Sequence, residues 1–80
     1  MKLQINAFDN QAICRQKLIA EHIDATDNLT VIYRAEQLQY KDAFIVDKIS
    51  GFNIMQGLVT IYFESGGFIE ITKFNPGNFD

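Results

Sequence analysis

Apolar positions concentrate most strongly between Leu58 and Phe74, which reads LVTIYFESGGFIEITKF. Two runs rich in β-branched and aromatic residues flank Glu64-Ser65-Gly66-Gly67, the pattern of a β-hairpin. Pairing Phe63 with Phe68 across that turn places Val59, Ile61, Phe63, Phe68 and Phe74 on one face. The opposite face then carries Leu58, Tyr62, Ile69 and Ile71. Both faces are largely apolar, and one helix covers only one side of a sheet. Either the sheet curls into a small barrel or the second face meets another chain. The plainer alternative is that Thr60, Glu70, Thr72 and Lys73 keep one face wet.

Toward the N-terminus, Lys2 to Ala7 alternates with Leu3, Ile5 and Ala7 on one side, a short strand with one buried face. Asp9-Asn10 then forms a helix N-cap pair. From Gln11 to Ile23 the apolar residues Ala12, Ile13, Ile19, Ala20 and Ile23 fall on one helical face, interrupted by Gln16. Arg15, Lys17 and Glu21 lie opposite, so the segment is expected to be an amphipathic helix ending near His22. Asp24 to Asn28 breaks the pattern with turn-forming side chains.

Leu29 to Glu36 reads as a second strand, with Leu29, Val31, Tyr33 and Ala35 on one face. Gln37 to Gln39 reads as a connection. Between Lys41 and Ile49 the run Phe44-Ile45-Val46 suits a central strand covered on both sides. A short helix carrying Tyr40, Ala43, Phe44 and Asp47 is the alternative there. Ser50-Gly51 signals a turn or bulge, and Phe52 to Met55 is either a further strand or an irregular loop. Asn75-Pro76-Gly77-Asn78 closes the ordered part, with Phe79 and Asp80 frayed.

These elements predict an α+β fold: one amphipathic helix packed on a four- to five-stranded antiparallel sheet, flat or curled into a small barrel. The expected core is Leu3, Ile5, Ile13, Ile19, Ile23, Val31, Tyr33, Phe44, Val46, Val59, Ile61, Phe63 and Phe68. The 80 residues make a single domain. A hydrophobic content of 48% with seven Phe supports a core in so short a chain. The single cysteine fits a reducing compartment. No apolar run approaches the roughly 20 residues that cross a bilayer. The opening MKLQINAFDN lacks the apolar stretch of a secretory signal, so the expected address is cytoplasmic.

Candidate chemistry is sparse. His22 is the only histidine, and Glu21 and Asp24 beside it do not share its helical face. Cys14 lies eight residues before His22, about 12 Å along a helix, which is too far for a Cys–His dyad. Cys14 is expected to be a buried or half-buried apolar residue. One Cys and one His do not make a zinc site, and Asp24 to Asn28 lacks the glycine and distal glutamate of an EF-hand loop. Ser65-Gly66-Gly67 sits between strands, the wrong context for a phosphate loop. No catalytic residue, cofactor or metal is expected.

A net charge of −3 and scattered basic residues disfavour nucleic acid. What remains is a small non-enzymatic protein-interaction module, an inhibitor, adaptor or accessory factor. Its partner is another protein or a second copy of the chain. The candidate surface is Phe52, Ile54, Met55, Leu58, Tyr62, Ile69 and Ile71. The alternative is a nucleic-acid-binding small barrel, because a helix followed by several twisted strands is similar in layout to the Sm-like and SH3-like barrels.

Overall fold

Seven strands and no helix make up the described part of this protein. The structure is a computed structural model, and it describes residues 2–35 and 41–75. The strands are β1 (Leu3–Phe8), β2 (Cys14–Ala25), β3 (Thr30–Arg34), β4 (Ala43–Ile45), β5 (Ile49–Met55), β6 (Leu58–Phe63) and β7 (Phe68–Lys73). They form one sheet in the order β4-β3-β2-β1-β7-β6-β5, antiparallel at every pairing.

The expected α+β class is therefore corrected to all-β, and the amphipathic helix over Gln11–Ile23 becomes most of β2. Two bulges explain the misreading. Arg15 is extra opposite β1, and Glu21 is extra between the pairs Ala20–Arg34 and His22–Tyr33. Each bulge shifts the alternation by one residue. Leu18 and Ala20 face the core before the second bulge, and Ile23 packs against it afterwards. Spacings of two and then three imitate a helical period, in a segment rich in helix formers such as Gln, Lys and Ala.

Strand directions determine how the sheet closes. Following the antiparallel pairings from β4 round to β5 leaves those two strands running in the same sense. Only Val46-Asp47-Lys48 separates them. Four chain steps reach at most about 14 Å, whereas six strand spacings in a flat sheet would hold the edges about 29 Å apart. The sheet therefore rolls up, and β4 and β5 are two parts of one bent course. The Ile49 amide continues that course by donating to the Asp27 carbonyl at 2.9 Å. Six antiparallel courses, an even number, close on themselves as a small barrel. Along the seam β5 beyond Ile49 has no ladder on the side toward β3, and β4 has none on the side toward β6.

The core lies inside this roll. Ile5, Leu18, Ala20, Ile32, Ile61, Phe63 and Ile69 form it, with Ala43, Ile45, Ile49, Val59 and Ile71 packed against them. Of the expected core, Ile5 is fully buried, and Ile61 and Phe63 are buried. Ile13, Phe44 and Val46 are instead 46%, 63% and 84% exposed. Phe44-Ile45-Val46 is no covered central strand: β4 ladders only to β3, and its short-helix alternative is absent. On β3 the inward face is Thr30 and Ile32, so Val31 and Tyr33 point outward.

The β6–β7 register also differs from expectation. Tyr62 pairs with Phe68, Ile61 with Ile69 and Val59 with Ile71. Phe63 closes the turn by donating to the Gly67 carbonyl at 2.9 Å. A one-residue slip moves a whole strand's side chains to the other face. The inner face is thus Val59, Ile61, Phe63, Ile69 and Ile71, while Phe68 joins Tyr62 outside. The doubly apolar hairpin resolves into one apolar face and one mixed face.

Asp9, expected as a helix cap, instead organises the loop from β1 to β2. Its Oδ1 accepts from the amides of Gln11 at 2.9 Å and Ile13 at 3.1 Å, and Arg15 Nε meets Oδ2 at 2.6 Å. Backbone bonds from Ala12 to the Asp9 carbonyl and from Asp9 to the Ile13 carbonyl, with Ala12 at φ 60°, complete the turn. The amides of Ile13 and Gln11, then Arg15, hold the Asp9 carboxyl below its usual range. A carboxyl whose folded pKa is depressed stabilises the fold above its unfolded pKa, about 3.9. That contribution disappears as pH falls through the folded value. Asp9→Asn is expected to keep the turn acceptor but lose this acid-dependent part. Thermal melts from pH 6 to pH 2.5 should therefore fall less steeply below about pH 4 for the variant than for the wild type.

The readings of Gln37–Gln39, Tyr40 and Pro76–Asp80 fall outside the described residues.

Candidate interaction surface

The hairpin of β5 and β6 presents the candidate surface. Its two-residue turn, Gln56-Gly57, has φ of 45° and 84°, the left-handed pair that matches strand twist in a tight hairpin. Met55 pairs with Leu58, Ile54 with Val59, Asn53 with Thr60 and Phe52 with Ile61. Residues directly opposite share a face. Phe52 and Ile54 therefore lie on the same concave side as Ile61 and Val59. Asn53 and Met55 lie outside. Phe52–Met55, for which the sequence allows either strand or loop, is strand.

Although Phe52 and Ile54 have core-facing parity, the barrel does not cover them. Phe52, Ile54 and Met55 are 71%, 69% and 61% exposed. A cleft of about 460 Å³ runs between this strand and the turn after β2, lined by Ala25, Thr26, Ile49, Phe52, Ile54 and Val59 among others. It is apolar because its floor is the open end of the core. Large exposed apolar groups in one cluster are a signature of an interaction site.

The other expected surface residues divide. Tyr62 is exposed on the outer face, and Leu58 is half-buried. Ile69 is 1% exposed and faces inward, with Ile71 packed against the same core. These two are unavailable to a partner while the fold stands. The feature that pattern reading missed is the open edge of β5. It needs the knowledge that β4 turns into β5 and leaves β3 behind.

An aromatic row crosses the outer face. Phe8 and Phe68 stack at 4.7 Å with their planes 10° apart, and Tyr62 tilts against Phe68 at 5.9 Å. The partners are cross-strand neighbours on β1, β7 and β6. Such pairs stabilise a sheet on their own account.

A second cleft, of about 390 Å³, lies near the turn between β6 and β7 and includes Asp9, Asn10, Asp47, Ser65 and Gly67 in its lining. The Ser65 hydroxyl donates to Asp47, and Asp9 is engaged with its own loop. Among the described residues no three His, Cys, Asp or Glu side chains gather as a metal site.

His22 is exposed on the outer face of β2 and stacks against Tyr33 at 5.3 Å, so it caps no helix. Cys14 is exposed, contrary to expectation, and its thiol reaches only the Gln16 carbonyl at 3.6 Å. On an extended strand the two stand about 26 Å apart along the chain, farther than on the expected helix. Among the described residues no helix is long and apolar enough to cross a membrane.

No protein-family model, curated protein or solved structure matches the chain.

Proposed function

We propose that this protein is a small non-enzymatic interaction module that binds another polypeptide through the β5–β6 hairpin. The observation that carries the reading is the exposure of Phe52 and Ile54 on the concave face, and of Met55 on the outer face, of a strand laddered on one side only. An open strand edge offers backbone hydrogen bonds to an added strand, and the apolar cleft beside it offers side-chain contacts. Natural edges are usually guarded by charge or proline. Residues Ile49 to Phe63 contain neither.

Nucleic-acid binding is a second reading, favoured by one observation, the outer row of Tyr62, Phe68 and Phe8. Aromatic rows on small barrels can stack bases. Two features weigh against it. Phe8 and Phe68 cover each other's faces, and Glu70 sits in the next cross-strand row beside Thr60 and Asn6.

The test is affinity capture from cell lysate, with and without nuclease, using wild type and the Phe52→Asp/Ile54→Asp double variant. Retention of a discrete protein by wild type after nuclease, with about a hundredfold less retained by the variant, is the expected result. Both positions are exposed, so the variant's melting temperature should match wild type within a few degrees. Material lost entirely on nuclease treatment, from wild type and variant alike, would replace this reading with the second one.

A further inference from the structure

We infer that the partner of the β5 edge is the β5 edge of a second copy, paired antiparallel about a two-fold axis at Asn53. The inference rests on the reading that the hairpin binds polypeptide, and it names the occupant.

Backbone geometry comes first. In a two-residue hairpin the closing pair, here Met55 and Leu58, exchanges hydrogen bonds. Antiparallel pairs then alternate, so Asn53–Thr60 is bonded, while Ile54–Val59 and Phe52–Ile61 are not. The N–H and C=O groups of Phe52 and Ile54 therefore point away from β6. The Ile49 amide points the same way and is met by Asp27. The open ladder thus runs from just after that rung to the hairpin tip, residues 51 to 55. The gap is as long as the strand that a second copy offers.

Side chains select the register. With Asn53 opposite Asn53 of the second copy, Phe52 meets Ile54 and Ile54 meets Phe52, an apolar pair repeated by the symmetry. These are the residues whose backbone groups face outward, so four backbone hydrogen bonds form. Gly51 then lies opposite Met55. A side chain would otherwise crowd the methionine, and the space around Gly51 is empty, with nothing within 4 Å of where a Cβ would stand. The partner strand turns back after Met55 and so stops short of the turn after β2.

Charge selects the kind of partner. Each chain carries −3 overall, so two copies repel at most approaches. From Ile49 to Phe63 there is no charged residue, flanked by Lys48 and Glu64. On this edge two identical acidic chains meet without opposing like charges. A two-fold contact of one patch with itself is the usual form of a small homodimer. Taking about 200 Å² for a large side chain, Phe52, Ile54 and Met55 bury on the order of 400 Å² per chain. That is half the roughly 800 Å² of a standard interface, so the dimer should be weak and reversible.

The experiment is sedimentation equilibrium of the purified full chain across about 5 to 500 µM. It compares wild type, Asn53→Asp, Asn53→Lys and an equimolar mixture of the two variants. Asn53 is exposed on the outer face, and each variant's melting curve checks that the fold survives. The expected result is a concentration-dependent dimer for wild type. Each single variant should dimerise at least about tenfold more weakly, because like charges stand directly opposite. The mixture should recover association as a heterodimer, which a merely structural role of Asn53 would not produce. A wild-type monomer over the whole range overturns the self-pairing. So does a dimer whose variants associate as wild type, because the contact then lies elsewhere. A monomer that still captures a discrete protein from nuclease-treated lysate overturns the second copy alone and leaves the interaction reading standing. A monomer that captures none overturns both.

Discussion

Ile5→Ala should lower the stability of this protein by about 3 kcal/mol, within the usual range of 2–5 for truncating a fully buried Ile. Ile5 is 0% exposed at the middle of β1, between Leu18 of β2 and Ile71 of β7. Both neighbouring strands are held by ladders, so the cavity cannot collapse easily. For 80 residues the whole stability is roughly 4–12 kcal/mol. One substitution thus removes a quarter or more of it. Urea denaturation at 25 °C is the measurement, with Ile13→Ala as the contrast. On the amphipathic helix that the sequence pattern suggests, Ile13 would sit in the core. In the structure it lies exposed in the loop before β2, so its truncation should change stability by no more than about 0.5 kcal/mol. Equal losses at the two positions would contradict the all-β architecture.

Gly66→Val is expected to cost about 2–3 kcal/mol, and for a different reason. Gly66 has a φ of +100°, a region that side-chain-bearing residues rarely enter and β-branched ones least of all. Its amide donates to the Phe63 carbonyl at 3.0 Å, so the conformation cannot relax without opening the turn. A Cβ placed there would also lie 3.0 Å from the Asn10 Cβ. The turn of β6–β7 rests on the loop of β1–β2, and the substitution disturbs both. Gly51→Ala is the control. Its φ is not in the left-handed region and its surroundings are open, so a change below about 0.5 kcal/mol is expected in the same denaturation experiment. Comparable losses at both glycines would mean that backbone conformation is not what Gly66 supplies.

Three strands were legible from local pattern. β1, β6 and β7 alternate cleanly or are bounded by turn residues, and their boundaries fall within a residue or two of expectation. β3 was legible as a strand but not in its facing. Val31 and Tyr33 look more apolar than Thr30 and Ile32 taken together, yet Thr30 and Ile32 are the buried pair. Which side of a strand faces the core depends on which neighbour it ladders to, and β3 lies beside the bulged part of β2. The candidate surface was half legible. Phe52, Ile54 and Met55 stand out in the sequence as apolar residues beyond the expected core. Ile69 and Ile71 share a face with Tyr62 only in the Phe63–Phe68 register, and the observed register, one residue away, turns them inward.

What the sequence determined by itself is the local conformation of the strands other than β2 and of the tight turns. β-branched and aromatic runs prefer extended backbone, Gln56-Gly57 and Ser65-Gly66-Gly67 permit the turns, and an uncharged Ile49–Phe63 leaves the hairpin without a guarding charge. These are short-range preferences and can be read residue by residue. The tertiary structure decided the rest. Two bulges made β2 a strand where its own residues favour a helix, because the ladders to β1 and β3 satisfy its backbone and bury Leu18 and Ala20. Closure of the barrel through the bend at Val46–Lys48 decided that β4 ladders only to β3 and β5 only to β6, which leaves the edge of β5 beyond Ile49 open. Ladder pairing and closure join residues far apart in the chain, and no local pattern contains them.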